Sequence, residues 1–186
     1  MERGADAVIS GLISSLANGV LLGGLYGLVG VGMSLVFGVM RIINLAHGEL
    51  MMVGMYLTFW AFTLARVEPL VAVVIAFPAL FVLGWILYRG LLGAVLGSRV
   101  REEYQLLLTL AIGLGLTELV RLLFTAEYRA IYTPLSTATV AVGAFSLSVP
   151  LVSAFWIAAA VSAGLYLVLT HTETGRDLRA TAQDRE

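Results

Sequence analysis

The chain has 186 residues, 60% of them hydrophobic and 12% charged, with a mean hydropathy of +0.96 and a formal net charge of −1. A soluble domain carries about twice that share of charge, so the composition is that of a polytopic helical membrane protein. There is no Cys, which excludes disulfides and thiolate metal sites, and all eleven basic residues are Arg, which excludes a phosphate-binding loop ending in Gly-Lys-Ser/Thr and Schiff-base chemistry.

The start, with Glu2 and Asp6 beside Arg3, lacks the charge pattern of a secretory signal, and the apolar run continues past any cleavage site. It reads as a short retained tail. The first predicted span runs from about Ile9 or Gly11 to Phe37. Gly19, Gly23 and Gly27 recur every fourth residue and share one helix face, the spacing of a helix-packing ridge. Gly24, Gly30 and Gly32 widen it, and Asn18 at its edge is expected to bond to another helix. A substrate-facing groove is the other reading of this face.

Arg41 to Glu49 is a polar string between two apolar runs. Two readings stand side by side. In one, Asn44, His47, Gly48 and Glu49 form a break near a transport path or a gating loop. In the other, they are a satisfied surface turn, with Arg41 as anchor and His47 and Glu49 capping the next helix. A metal site is a poor third, because the His-Glu-x-x-His spacing is absent and His171 lies at the far end of the chain. No Ser or Asp stands with His47 in a nucleophile arrangement, so no catalytic residue is assigned.

The second span covers about Leu50 to Ala65, with Met51, Met52 and Met55 as gap-filling side chains near its start. Arg66 and Glu68 belong to a tight turn ending at Pro69. The third span, about Leu70 to Leu87, holds Pro78, which predicts a kink. Tyr88 and Arg89 mark an interface, and Gly90 to Glu103 reads as a polar loop with a short amphipathic element. The fourth span, about Tyr104 to Phe124, carries Glu118 and Arg121 three apart, an expected ion pair. Thr125 to Pro150 is rich in Thr, Ser and Val and predicts a loop with a small hairpin. The fifth span is about Leu151 to Leu169, with Phe155, Trp156 and Tyr166 as interface anchors and Gly175 as the helix stop beyond it.

The fold class is therefore an all-α transmembrane bundle of about five spans. Loops alternate across the membrane, and the arginine-rich side carries Arg41, Arg89, Arg99, Arg101, Arg176, Arg179 and Arg185. The basic-inside rule makes that side cytoplasmic, with the C-terminal tail inside and the N-terminus outside. No basic patch with interleaved aromatics is present, so nucleic acid is not expected as a partner. A channel should show a repeated filter string or an acidic ring, and neither is here.

Three pieces carry a resemblance: Asn18 to Leu50, Tyr104 to Glu118, and Thr172 to Glu186. Together they resemble the permease subunits of branched-chain amino-acid ABC importers. Asn44, Ala46, His47, Gly48 and Glu49 are the most specific part; the closing Gly-Arg-x-x-Arg-Ala-x-Ala-x-Asp string is also typical. Where relatives carry an Arg-Pro-Leu-Arg-like string, this chain has Arg89-Gly90-Leu91-Leu92.

The resemblance implies one transmembrane permease domain over residues 1–186, with residues 171–186 opening a cytoplasmic coupling loop. It implies a second permease subunit as heterodimer partner, two cytoplasmic ATPase subunits that bind the ATP, and an extracytoplasmic solute-binding protein. The chain itself would hold no cofactor, catalyse no covalent step, and reside in the bacterial or archaeal cytoplasmic membrane. Gly175, Arg176, Asp177, Arg179, Ala180, Ala182 and Asp184 would form the ATPase-coupling element. Relatives carry branched-chain amino acids, urea or short amides with much the same motifs. Family members continue with further spans after this loop, which makes the chain the N-terminal part of a permease; the alternative is a non-transporting scaffold or assembly fragment.

Overall fold

The computed structural model describes residues 2–40, 43–93, 102–125, 127–142 and 145–183. Five helices in it are long and apolar enough to cross a bilayer. The chain divides into two compact units, Met1–Met40 with Tyr132–Glu186, and Arg41–Ile131.

The first unit contains α1 (Glu2–Met40), a hairpin of β1 (Thr139–Val142) and β2 (Phe145–Ser148), α5 (Val149–His171) and α6 (Glu173–Gln183). The hairpin expected between the last two spans is present, antiparallel, with Thr139 opposite Ser148 and Val142 opposite Phe145. The expected N-terminal tail is already helical from Glu2.

The outer edge of β2 is satisfied by side chains of α1. Ser146 N–H donates to Ser14 Oγ and Ser148 N–H to Asn18 Oδ1, both at 3.3 Å, while Asn18 Nδ2 donates to Ser146 O at 3.2 Å. Asn18 thus binds a strand edge rather than another helix, because an open edge leaves amides that need a partner. Further along, Gly24 faces the ring of Phe155, which a Cβ at that position would overlap. Phe155 is therefore a packing residue and not an interface anchor; Trp156 and Tyr166 are exposed. The matched order of these contacts makes α1 and α5 parallel, as the first and fifth of five alternating crossings must be.

The second unit contains α2 (His47–Ala65), α3 (Pro69–Leu87) with a π-helical turn at Tyr88–Leu92, and α4 (Glu102–Phe124). α2 ends with Arg66 in the left-handed region at φ 54°. Arg66 N–H donates to Phe62 O at 2.9 Å and Val67 N–H to Ala61 O at 3.3 Å, the two bonds that close a helix C-terminus. Pro69 then begins α3, where its missing N–H costs nothing.

α3 runs unbroken through Pro78 and continues past Gly90 as helix to Gly93 instead of turning into a polar loop. Arg89 lies over the Trp85 ring at 5.6 Å, so the first charge after the span is held along the helix. The rest of the expected loop, with Arg99 and Arg101, lies outside the described residues.

α2 and α4 run parallel. Thr109 and Gly113 meet the entrance to α2, and Phe124 stacks on Tyr56 at 5.2 Å and lies 5.4 Å from Trp60. Gly54 sits 3.0 Å, measured from its would-be Cβ, from Leu80 Cδ1 of α3. The buried apolar residues of the two units are largely alanines: Ala46, Ala72 and Ala76 in one, Ala158 in the other. Small side chains let backbones approach, and in lipid that close packing takes the place of a hydrophobic drive. Glu118 and Arg121 form the expected ion pair at 2.9 Å.

Candidate functional site

The polar string enters α2 through a turn built on Asn44. Its Oδ1 accepts from Ala46 N–H at 3.1 Å, and its carbonyl accepts from His47 N–H at 3.2 Å. Asn side chains favour this because they reach the backbone two residues on. Ala46 is buried, and Leu50 N–H closes the first helical turn on Ala46 O at 3.0 Å. His47 and Gly48 form the first turn of α2. Arg41 lies outside the described residues.

Thr109 of α4 holds the turn in place. Only 1% of its surface is exposed. Its hydroxyl accepts from Leu45 N–H at 3.3 Å and has the carbonyls of Leu106 at 3.0 Å and Ile43 at 3.3 Å as acceptors. One hydroxyl therefore serves backbone that no helix satisfies. Sequence reading missed Thr109, because a Thr inside an apolar span carries no local signal of what lies across from it.

Glu49 points from α2 at Gly113 of α4. A Cβ on Gly113 would stand 3.2 Å from Glu49 Cδ and 3.3 Å from Oε2. Oε2 is buried and meets no donor among the described residues. A buried acceptor in that position is costly unless a donor group supplies the missing bond. So the structure brings Asn44, His47, Gly48 and Glu49 into one short segment, braced on α4, with one acceptor left open.

The second candidate element follows α5. The joint is the single residue Thr172, at φ −104° and ψ 157° between two helices. Its hydroxyl accepts from Gly175 N–H at 3.0 Å and donates to Val168 O at 2.6 Å, and its carbonyl accepts from Arg176 N–H at 3.1 Å. Thr172 is thus the helix N-cap. The expected stop at Gly175 is corrected: Gly175 lies within the first turn of α6. It is buried there, and any Cβ would overlap the carbonyl oxygens of Val168 and Leu169. Glycine is needed for close approach, not for ending a helix.

Along α6, Gly175, Leu178 and Ala182 share one face, with Gly175 buried and Leu178 half-buried. Arg176, Asp177, Arg179 and Ala180 are exposed. Asp184 lies outside the described residues, and Ala182 is described only as part of the helix backbone. The ridge of Gly19, Gly23 and Gly27 has nothing among the described residues within 4 Å of a Cβ built on it. Within this chain the close approach is at Gly24 instead. No group of three or more potential metal ligands occurs among the described residues.

Comparison with known proteins bears on both elements. The family described as "Branched-chain amino acid transport system / permease component" matches residues 15–186, which includes both. The high-affinity branched-chain amino acid transport system permease protein BraD of Pseudomonas aeruginosa is 29% identical over 189 residues, 92% of this chain and 59% of that protein. The LivH permease protein of Escherichia coli K12 is 43% identical over 47 residues, 25% of this chain and 15% of its own length. LivH of Salmonella typhimurium shows the same figures. No solved structure matches the chain. The chain spans 59% of the length of BraD, the relative it matches most broadly here. With the family pattern running from residue 15 through both the turn at Asn44 and the helix beyond Thr172, the chain belongs to the permease components of branched-chain amino acid transport systems.

Proposed function

We propose that this chain forms part of the translocation path of an ATP-driven importer for branched-chain amino acids or a related small solute, and couples that path to cytoplasmic ATPases. The family match over residues 15–186 carries the reading. The partners are a second permease subunit, two ATPase subunits and an extracytoplasmic solute-binding protein. The chain performs no covalent chemistry; its work is to change which side of the membrane the path opens to.

Two features support the division of roles. α6 is amphipathic and offers Arg176 and Arg179 to solvent three residues apart, with Ala180 beside them. Guanidinium groups so placed suit charge-assisted bonds to a soluble partner, and Ala180 is small enough to enter its groove. The arginine distribution puts this helix on the cytoplasmic side. The turn at Asn44 to Glu49 is the gating candidate, since it holds irregular backbone braced by one hydroxyl and an unmet carboxylate oxygen. The ridge of Gly19, Gly23 and Gly27 is a face for a helix of a neighbouring subunit.

The test is co-purification of the chain with candidate ATPase and permease partners, repeated with Arg176→Ala and Arg179→Ala. The reading expects the ATPases to be retained by the unchanged chain and released by the double substitution. Retention despite both substitutions removes α6 as the coupling element; no retention by the unchanged chain removes the importer reading in favour of a non-transporting scaffold.

A further inference from the structure

Arg129 follows α4 and folds back along α2. Its guanidinium carbon stands 5.5 Å from the ring centres of both Phe59 and Trp60. Its Nη2 donates to Phe124 O, the last carbonyl of α4, at 2.9 Å. Phe59 and Trp60 are six and five residues before the end of α2, so the charge sits roughly 8 Å down the helix from Ala65. An ionisable group at that depth is a functional candidate by default. Two aromatic faces and a carbonyl hold it without neutralising it. Arg129 takes part in no ion pair among the described residues, and Arg129 Nε and Trp60 Nε1 are buried donors without acceptors.

Glu127 lines the same cleft, of about 400 Å³, whose remaining wall is Met52, Met55, Tyr56, Phe59 and Tyr128. That volume falls in the ~300–1,000 Å³ range of small-molecule sites. Two opposite charges two residues apart face one cleft and do not pair with each other. Such an arrangement fits a ligand that carries both charges itself. The wall opposite is apolar and, through Met52 and Met55, adaptable in shape. Thr125, at φ 65°, redirects the chain so that this segment leaves α4 backwards; a β-branched residue adopts that conformation at a cost, so it is held by its surroundings.

We propose that Arg129 and Glu127, over the methionine and aromatic face of α2, form a binding site for the zwitterion of a small apolar α-amino acid. Arg129 takes the carboxylate, Glu127 the ammonium, and Met52, Met55 and Tyr56 the side chain. The proposal rests on the importer reading for its biological role, and on the arginine distribution for its location at the extracytoplasmic end, where solute would arrive. It assigns solute contact to named residues, a role separate from coupling at α6 and gating at the Asn44 turn.

The test measures binding of L-leucine to the full-length chain in lipid nanodiscs by calorimetry, beside isocaproate, which lacks the ammonium, isoamylamine, which lacks the carboxylate, and urea. Leucine is expected to bind most tightly, with isocaproate and isoamylamine weaker by about tenfold or more, since each forgoes one charge-assisted contact. Arg129→Gln should remove leucine binding. Glu127→Gln should weaken leucine about tenfold and leave isocaproate unchanged. Because Arg129→Gln also deletes the bond to Phe124 O, Glu127→Gln, on an exposed side chain, stands as the independent variant.

Leucine binding that is absent, or indifferent to both substitutions, overturns the proposal, as does isocaproate or urea binding as tightly as leucine. ATPase co-purification on the same preparation separates the two readings. ATPases retained without leucine binding sink the site alone. Leucine bound without ATPases sinks the coupling and leaves the site standing.

Discussion

At the residue scale, two glycines and a threonine separate what this chain needs from what it merely contains. Gly24 faces Phe155, and Gly175 faces backbone carbonyls, so neither tolerates a side chain without movement. Gly19, Gly23 and Gly27 meet nothing in the described chain. Gly24→Leu should therefore cost about 1–3 kcal/mol by overpacking. Gly23→Ala should raise the stability of the isolated chain by roughly 0.5–1 kcal/mol, the usual helix gain over glycine. Reversible unfolding in mild detergent by denaturant titration checks both. If Gly23→Leu leaves that unfolding unchanged but abolishes assembly with a second permease, the ridge is an intersubunit face. Thr109→Val retains shape but deletes the hydroxyl that serves Leu45 and Ile43. It should cost about 1–3 kcal/mol and raise hydrogen exchange at Leu45, in the turn, before anywhere in α2.

At the element scale, the hairpin belongs to α1 as much as to itself. A two-stranded hairpin is marginal alone, and here Ser14 and Asn18 complete its edge. Asn18→Leu should expose the amide of Ser148 and the carbonyl of Ser146. Amide exchange over 139–148 should rise while α5 stays protected; equal exchange in the variant would mean that β1 alone holds β2. The spans, their order, the hairpin and the Glu118–Arg121 pair were legible because each has a local signature in hydropathy, turn composition or spacing. Thr109, Gly113 and Gly54 were not, since their roles exist only through a residue on another helix. Gly175 was misread for a related reason. Glycine after a span suggests a stop, but Thr172 three residues earlier supplies a better cap, and what demands glycine is the carbonyl pair of Val168 and Leu169. Arg129 has no such local signature. Its placement over Phe59 and Trp60 depends on the chain reversing at Thr125.

At the scale of the whole molecule, the chain is a multi-pass inner-membrane permease component with helices that show most of their apolar surface. In lipid such surface is in its proper solvent, so exposed Phe77, Phe81 and Trp156 need no covering partner to be stable. The orientation inferred from arginine has a direct check, because the chain has no native cysteine. Thr137→Cys, between the fourth and fifth spans, and Ala180→Cys, in α6, are both at exposed positions. In right-side-out membrane vesicles an impermeant maleimide should label Thr137→Cys and leave Ala180→Cys unlabelled until the membrane is opened. The reverse pattern would invert the topology and move the Arg129 cleft to the cytoplasmic end.

The joint at Thr172 has a mechanical meaning. Only one residue of extended backbone separates α5 from α6, and the glycine seated on the carbonyls of Val168 and Leu169 leaves no room between the two rods. A long flexible loop would absorb a push by changing its own shape. This joint has almost no shape to change, so a tilt imposed on α6 is delivered to α5 undiminished, as through a crank with no play. Inserting a few glycines after Thr172 would put play into that crank: a partner holding α6 as proposed would keep its grip, and its stroke would be lost.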